Sequence, residues 1–456
     1  MARDTVDMQP ITGRDELVAW FAAGCKRDGV LKLGTEHEKF VFRPKTLKPV
    51  PYEGADGIGA LLDGLQKASG WAPILENDKI IGLFDEVGGG AISLEPGGQF
   101  ELSGAPLADL HQTAAELDGH LDLVKRIGRP LDMEFLALGM TPDWRRQDMP
   151  VMPKSRYRLM TAYMPKVGSL GLDMMYRTST VQVNLDFTSE ADMVRKLRVS
   201  LALQPVATAL FANSPFTDGK PNGFKTFRSE IWRDTDNARA GMLPFAFEDG
   251  FGFERYVDYA LDVPMYFIKR GDTYIDATGT SFRDLFAGRH PALPGGQATM
   301  SDWANHLSTI FPEVRLKRYL EMRGADVGSR DHILALSAFW VGLLYDEAAL
   351  AGAWDLCKRW SAAERQQLRD DVPRLGFAAR IAGRSMRDLA RDCVALSRAG
   401  LKARARRDAA GHDETGYLDL LDARIASGRT AADDLIAAFN GPWQGSVAPA
   451  YSQARV

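Results

Sequence analysis

Three stretches of this chain place carboxylate or amide side chains two residues apart, in segments that favour extended backbone. They are Gly34–Phe40 (GTEHEKF), Ser93–Glu101 (SLEPGGQFE) and Val181–Asp186 (VQVNLD). Residues i and i+2 of a strand point to the same side, so each stretch presents its oxygen atoms in one direction. The pattern predicts β-strands that share one polar face.

Each predicted strand contributes oxygen atoms to that face. The side chains, with the strand predicted for each group, are Glu36 and Glu38 (31–42), Glu95, Gln99 and Glu101 (93–103), Gln182 and Asn184 (177–187), and Glu321 beside Arg323 (315–323). Inside the second strand, Pro96-Gly97-Gly98 favours a bulge or a turn, which could shift the alternation.

Alternation alone leaves two interpretations of this face open. An antiparallel sheet often has one side in water, which explains any single strand. Solvent-facing strand positions favour Thr, Lys and Tyr, however, whereas Glu, Gln and Asn recur here. Carboxylates two residues apart repel each other unless a cation neutralises them. Such oxygen ligands suit Mg²⁺ or Mn²⁺ holding the phosphates of a nucleotide.

Basic side chains flank the same segments and supply the opposite charge. For most of them we expect a solvated surface position. Arg228 stands out because Trp232, Asp234 and Asp236 follow it closely in the sequence. A guanidinium is suited to a two-point grip on a carboxylate or a phosphate.

Composition narrows the class of protein. The 456 residues suffice for a deep core, and a formal net charge of −4 gives no case for nucleic acid or an anionic membrane as partner. Three widely spaced cysteines fit a reducing compartment. Met1–Thr5 contains no apolar stretch, and the longest apolar run, Ile333–Tyr345, is too short to span a bilayer. We therefore expect a cytoplasmic location.

The texture of the sequence changes along the chain. Oxygen-rich strands occur within residues 28–326, which we expect to form a sheet-containing core with the active site. Residues 327–456 are predicted to form a mostly helical C-terminal layer, with helices over 331–345, 362–371, 385–399, 413–426 and 430–440. No linker rich in Ser or Gly precedes this layer, so residues 1–456 are predicted to form a single catalytic domain.

Several longer strings match one known family. GTEHEKF (34–40), SLEPGGQFELSG (93–104), TVQVNLDF (180–187) and FPEVRLKRYLEMRGAD (311–326) closely resemble the plant-type glutamate–cysteine ligases, and the resemblance runs in order over about residues 10–450. It implies an α+β fold. In that fold a curved, mainly antiparallel sheet carries the active site on its concave face and is wrapped by helices, as in glutamine synthetase.

The resemblance also implies a reaction. ATP phosphorylates the γ-carboxylate of L-glutamate, and the amine of L-cysteine displaces phosphate to give γ-glutamylcysteine, the first step of glutathione synthesis. ATP is then a co-substrate, and Mg²⁺, with Mn²⁺ as an alternative, is the cofactor. The expected partners are these small molecules, with neither nucleic acid nor membrane, and a monomer and a homodimer are both open.

Roles for individual residues follow from the same resemblance. The metal ligands that it implies are Glu36, Glu38, Glu95, Glu101, Gln182, Asn184 and Glu321, with Gln99 a weaker candidate. The substrate-binding residues that it implies are Arg156, Met175, Arg228, Trp232 and Tyr266, with Met175 near the cysteine side chain. Arg228 and Arg323 are the implied catalytic residues, and Arg323 would stabilise the transferring phosphoryl group.

One departure from the family matters. Plant members carry a regulatory disulfide whose two positions are Ala114 and Leu334 here, and some carry a second pair that falls near Ala277 and Ala292. We therefore predict an enzyme without that thiol switch.

Three other functions remain open from the sequence. The nearest is another ATP-dependent carboxylate–amine ligase that uses a different amine. A non-catalytic metal protein or scaffold would share the oxygen-rich face without turnover. Phosphotransfer to a guanidino group would give a stable phosphorylated product and need no amine.

Overall fold

The computed structural model describes residues 6–456, so Met1–Thr5, used above for the expected location, lie outside the described residues. A nine-stranded sheet forms the centre of the molecule. In chain order its strands are β1 (Leu33–Phe42), β2 (Ala72–Glu76), β3 (Lys79–Phe84), β4 (Ala91–Leu94), β5 (Phe100–Ser103), β6 (Glu134–Leu136), β7 (Thr180–Leu185), β8 (Val314–Leu316) and β9 (Leu320–Asp326).

Helices surround this sheet. They are α1 (Arg14–Ala22), α2 (Ile58–Ser69), α3 (Leu110–Gly128), α4 (Ser155–Tyr163), α5 (Gly171–Arg177), α6 (Glu190–Leu210), α7 (Phe227–Ile231), α8 (Phe253–Asp262), α9 (Phe282–Phe286), α10 (Met300–Ser308), α11 (Arg330–Leu344), α12 (Glu347–Cys357), α13 (Ala362–Leu375), α14 (Met386–Arg404), α15 (Asp419–Ser427), α16 (Ala431–Asn440) and α17 (Ala450–Gln453). Short two-stranded pairs join Phe216–Thr217 to Lys220–Pro221, Phe267–Arg270 to Thr273–Asp276, Arg380–Ile381 to Arg384–Ser385, and Ala240–Gly241 to Phe311–Pro312.

The strand order is β8-β9-β7-β1-β5-β4-β3-β2, with β6 also paired to β1, and every pairing in this sheet is antiparallel. The predicted fold class, a mainly antiparallel sheet with surrounding helices, is confirmed. The register explains how separate sequence stretches meet. Glu36 lies opposite Gln182, and Glu38 lies opposite Glu101.

Two predicted strands are hairpins instead. Residues 93–103 form β4, a turn and β5, so that Ser93 lies opposite Glu101. The prediction of one strand over 315–323 is wrong, because β8 ends at Leu316 and β9 begins at Leu320. Alternating polar and apolar residues continue through the turn, so the period of two does not reveal where the chain reverses.

The opposite face of the sheet packs on the large hydrophobic core. Val181, Val183 and Leu185 of β7 are buried there, where α11 packs on β7 and α6 packs on β9. Ser189 begins α6 by accepting a hydrogen bond from the Asp192 amide. With one face sealed by helices, only the other face of these strands is left for a cleft.

From Arg330 onward the described elements are helices, short 3₁₀ turns and one short strand pair. The helix α12 was not predicted, because its sequence EAALAGAWDLC has little polar contrast. The helix predicted over 413–426 begins as a 3₁₀ turn at Glu414–Leu418 and continues as α15.

Within the described residues, no single helix is long and apolar enough to cross a membrane. The pair α11 and α12 passes a test of length and composition only together, and the two helices are bent by 92°.

Candidate active site

A cleft on the polar face of the sheet encloses about 950 Å³, including space that is open to solvent. Charged side chains of both signs line it. They are the carboxylates Glu36, Glu38, Glu95 and Glu101 and the guanidinium groups of Arg156, Arg228, Arg315 and Arg323. Side chains of both charges therefore face one space, which suits a site for both anionic and cationic ligands.

Most residues singled out from the sequence line this cleft. Besides the charged ones, Gln99, Met175, Gln182 and Trp232 do so. The cleft lining does not include Asn184, Glu321 or Tyr266, whose positions are given below.

Glu36 is held by the two amides predicted to act with it. Its Oε1 accepts a hydrogen bond from Asn184 Nδ2 at 2.7 Å, and its Oε2 accepts one from Gln182 Nε2 at 3.2 Å. The amide oxygens Gln182 Oε1 and Asn184 Oδ1 are buried and have no hydrogen-bond partner among the described residues. Because such groups are costly to leave unsatisfied, they mark a place where a cation would bind favourably.

Glu38 sits in the most acidic part of the cleft. Its Oε2 accepts a hydrogen bond from the Thr180 amide at 3.0 Å. Burial raises the pKa of Glu38 well above its usual value, and Glu95 and Glu101 raise that pKa further. Burial likewise raises the pKa of Glu36. The site therefore disfavours ionised carboxylates until a positive charge arrives.

The turn between β4 and β5 fixes Glu95 at the edge of the cleft. Gln99 Nε2 donates to the carbonyls of Met175 (3.2 Å) and Thr178 (2.7 Å), and Gln99 Oε1 accepts from the Gly97 amide at 2.9 Å. A Cβ on Gly97 would lie 2.2 Å from the Tyr176 carbonyl oxygen, so only glycine permits this close approach. The contacts of Gln99 are those of a structural tie.

Glu321 is completely buried beneath three cations. Arg315 Nη2 lies 2.7 Å and Lys317 Nζ 2.9 Å from its carboxylate, and Arg323 also contacts it. Burial acts to raise the pKa of Glu321, but Arg315, Lys317 and Arg323 outweigh burial and hold that pKa well below its usual range. Three cations around one carboxylate leave excess positive charge beside the cleft. Two of them, Arg315 and Arg323, also line the cleft.

Arg228 reaches the cleft from the short helix α7. Thr226 caps this helix by accepting a hydrogen bond from the Ser229 amide. Asp326, at the end of β9, accepts from Thr226 Oγ1 at 3.0 Å and so ties the helix to the sheet. Arg228 Nη2 then donates to the carbonyl of Arg323 at 3.0 Å. The pairing of β9 is irregular between Met322 and Ala325, which places a bulge at Arg323.

The remaining predicted substrate residues divide into two positions. The Arg156 guanidinium lies 5.1 Å from the centre of the Tyr157 ring, at the cleft surface. Tyr266 does not line the cleft: its hydroxyl donates to Asp236 Oδ2 at 3.2 Å and its ring stacks on Arg239 at 3.6 Å.

Several lining residues were assigned no role from the sequence. They are Tyr157, Met160, Met174, Thr178, Thr180, Phe267, Ser308, Thr309, Phe311 and Arg315. The period of two places Thr178 and Thr180 on the face of Gln182, and Arg315 on the face of Glu321 and Arg323, so these three could have been assigned. Phe311 carries no such signal, because its place depends on a parallel pairing with Ala240, far away in the sequence.

The donor atoms fit a hard divalent cation. Four carboxylates line the cleft, and the two unsatisfied amide oxygens lie beside Glu36. Oxygen donors of this kind suit Mg²⁺ or Mn²⁺. Within residues 6–456, however, no three His, Cys, Asp or Glu side chains are already grouped so that they could hold a metal ion.

The arrangement also suits a particular kind of chemistry. Preorganised arginines beside clustered carboxylates can offset the charge that builds up when a phosphoryl group passes between two anionic reactants. The cleft therefore has charged groups suited to an enzyme that joins or transfers groups between anionic reactants.

Comparison with known families defines this class. The sequence-family model described as Glutamate-cysteine ligase family 2 matches residues 32–453 of this chain. The chain therefore belongs to the glutamate–cysteine ligase family, as the sequence motifs predict.

Individual relatives agree. Over 448 residues the chain is 54% identical to the chloroplastic glutamate–cysteine ligase of Arabidopsis thaliana, covering 98% of this chain and 84% of that protein. It is 54% identical over 445 residues to glutamate–cysteine ligase B, chloroplastic, of Oryza sativa subsp. japonica, covering 98% and 87%. A glutamate–cysteine ligase from Francisella tularensis, solved with AMP, shares the fold at a TM-score of 0.53 and 12% identity, over 90% of this chain and 85% of that one.

These comparisons decide two predictions. The prediction of a ligase of the glutamate–cysteine type is confirmed, and the alternative with a different amine acceptor is not favoured. The expectation of a cytoplasmic location is wrong, because the relatives are named chloroplastic. Sparse cysteines indicate a reducing environment, which is not limited to the cytoplasm.

Proposed function

We propose that this cleft joins the γ-carboxylate of L-glutamate to the amine of L-cysteine, with ATP as co-substrate and γ-glutamyl phosphate as intermediate. The observation that carries the proposal is the meeting of four carboxylates and four arginines in one cleft of a chain from this family. No protein nucleophile is needed, because the substrate carboxylate attacks the γ-phosphorus of ATP and the substrate amine attacks the acyl carbon.

The first step brings two anions together. Arg323 and Arg228, which are joined through the Arg323 carbonyl, are the proposed catalytic residues. Their charge would offset the negative charge that builds up on the transferring phosphoryl oxygens. Arg323 is also in contact with Glu321, which orients the guanidinium before substrate arrives.

Divalent cations complete the charge balance. Glu36, Glu38, Glu95 and Glu101, with the amide oxygens of Gln182 and Asn184, would hold Mg²⁺, or Mn²⁺. When bound, these ions would supply positive charge that offsets the negative charge of the nucleotide and the substrate. Glu321 would join this set only by giving up contacts with Arg315, Lys317 or Arg323, which occupy both of its oxygens.

The proposed substrate contacts are Arg156, Met175, Arg228 and Trp232, all of which line the cleft. Arg156 and Arg228 can each grip a carboxylate at two points. Met175 presents a soft, adaptable side chain, which suits contact with a thiol. Tyr266 is left out of this set, because it does not line the cleft and its hydroxyl is bound to Asp236.

An assay of ADP release tests the proposal directly. The purified protein is mixed with Mg²⁺, ATP, glutamate and one amine from a panel that includes cysteine and ammonia. We expect cysteine-dependent ADP release with a γ-glutamyl product, loss of this activity in Glu36→Ala, and full activity in the exposed control Glu347→Ala. Release with ammonia alone, or an active Glu36→Ala, would contradict the proposed acceptor or the proposed role of Glu36.

A further inference from the structure

Two aromatic rings form one wall of the cleft. The rings of Trp232 and Phe311 are 5.6 Å apart and inclined at 64°, and both line the cleft. A smaller pocket shares these two rings with the cleft and is also lined by Gly241 and Glu313. The two rings therefore border two open spaces.

One side chain from the C-terminal helices reaches both parts of the wall. Arg369, on α13, donates through Nε to Glu313 Oε1 at 2.6 Å and through Nη2 to the Trp232 carbonyl at 3.3 Å. Glu313 stands two residues after Phe311, and its carbonyl accepts a hydrogen bond from the Arg323 amide at 3.2 Å. Arg369 thus joins the segment that carries Trp232 to the segment that carries Phe311.

The surroundings of Arg369 favour a specific bond over a loose surface contact. The side chains of Arg369 and Glu313 are only 10% and 11% exposed. The guanidinium packs against Gly241, where an added Cβ would lie 3.8 Å from its central carbon, an ordinary van der Waals distance. A charge-assisted bond in such partial burial is stronger than an exposed ion pair and holds its geometry better.

We propose that Arg369 is a positioning residue of the ligase: it acts through Glu313 and the Trp232 carbonyl to hold the Trp232–Phe311 wall against bound substrate. This inference rests on the proposed function, because it assumes that Trp232 contacts a substrate. It also gives the contact between α13 and the residues that follow α7 a role in substrate binding.

The chain offers a matched control on the same two elements. The neighbouring residue Asp370 binds Arg233 at 3.0 Å, which links α13 to the end of α7 without touching the cleft. When Asp370 is replaced, Arg233 keeps its second partner, Glu230, at 2.7 Å. Asp370→Asn therefore weakens the same helix contact while leaving the wall bonds in place.

The experiment compares the Michaelis constants of Arg369→Gln and Asp370→Asn for glutamate, cysteine and ATP. We expect Arg369→Gln to raise the KM for one of the two amino acids about tenfold or more with a smaller change in kcat, as when ground-state and transition-state binding are lost together. Asp370→Asn should stay within about threefold of the wild type. Similar unfolding midpoints in the two variants would exclude a merely structural effect.

Three further variants keep the test decisive. Glu313→Gln should raise the same KM, and Arg369→Gln/Glu313→Gln should be no worse than Arg369→Gln alone, because Arg369→Gln already removes the bond to Glu313. Arg369→Lys should recover part of the loss. The inference is overturned if Arg369→Gln behaves like Asp370→Asn, or if the two losses add. An inactive wild type would instead overturn the proposed function.

Discussion

Replacing Glu38 by Gln should stabilise the metal-free protein and abolish turnover. Glutamine has nearly the same shape, and its amide oxygen can still accept the hydrogen bond that the Thr180 amide gives to Glu38. The change therefore removes a negative charge and little else. Glu38 lies directly opposite Glu101 on the neighbouring strand.

The size of the effect follows from that register. Directly opposite residues have Cβ atoms about 5 Å apart. Two unit charges at about 5 Å repel by roughly 3 kcal/mol at an effective dielectric constant near 20. Arg228 offsets part of this repulsion, since its charge lowers the pKa of Glu38 against the larger effect of burial. We expect Glu38→Gln to raise the free energy of unfolding at neutral pH by about 1–3 kcal/mol.

The gain in stability of Glu38→Gln over wild type should increase with pH. Burial raises the folded-state pKa of Glu38 above its usual value of 4.5, so the folded protein binds this proton more tightly than the unfolded chain does. Protonated Glu38 therefore makes its full contribution to the free energy of unfolding below about pH 4.5. This contribution is lost as the pH rises through the folded-state pKa. The difference between Glu38→Gln and wild type should be small in acid and largest at neutral pH.

Urea unfolding in EDTA at several pH values measures this difference, with the exposed Glu347→Gln as control. Without EDTA, Mg²⁺ at a hundred times its dissociation constant should stabilise the wild type by about 2.7 kcal/mol. It should stabilise Glu38→Gln less. A variant less stable than wild type at pH 7 without metal, or one with the same gain at pH 4.5 and pH 7, would refute the reasoning.

Three further predictions concern other parts of the molecule. Gly97→Ala should lower kcat/KM by displacing the turn that carries Glu95, whereas Gly119→Ala, on an open helix surface, should leave activity unchanged and add up to about 1 kcal/mol of stability in urea unfolding. Arg239→Met should cost about 3–5 kcal/mol in the same measurement, because it leaves Asp236 buried without its cation. Ala114 and Leu334 stand at the plant disulfide positions, and Cys357 and Cys393 are buried, so oxidised dithiothreitol should change the initial rate by less than about twofold; reversible inhibition would contradict the predicted absence of a thiol switch.

The sequence was most informative where local alternation and site chemistry coincide. Glu36, Glu38 and Gln182 could be placed on one face because a strand has a period of two, and the sheet brings them to one cleft. Motifs long enough to identify a family supplied the reaction. Neither source required atomic detail.

What the sequence could not show depends on distant partners. The period of two continued through the turn between β8 and β9, so the reversal of the chain was hidden. Phe311 lines the cleft because it pairs with Ala240, and Arg369 reaches Glu313 from a helix near the other end of the chain. Tyr266, a substrate contact implied by the family resemblance, is bound by Asp236 and Arg239, which no local pattern indicated. Each of these positions is set by tertiary packing, which leaves no local pattern.

Transfer of oxygen from glutamate to phosphate tests the central claim most directly. The enzyme is given ATP, Mg²⁺, cysteine and L-glutamate labelled with ¹⁸O in its γ-carboxylate, and the released phosphate is examined by ³¹P NMR. Activation through γ-glutamyl phosphate predicts one ¹⁸O atom in each phosphate released, because the acyl–oxygen bond breaks when the amine attacks. Phosphate without ¹⁸O, formed while γ-glutamylcysteine accumulates, would contradict the account.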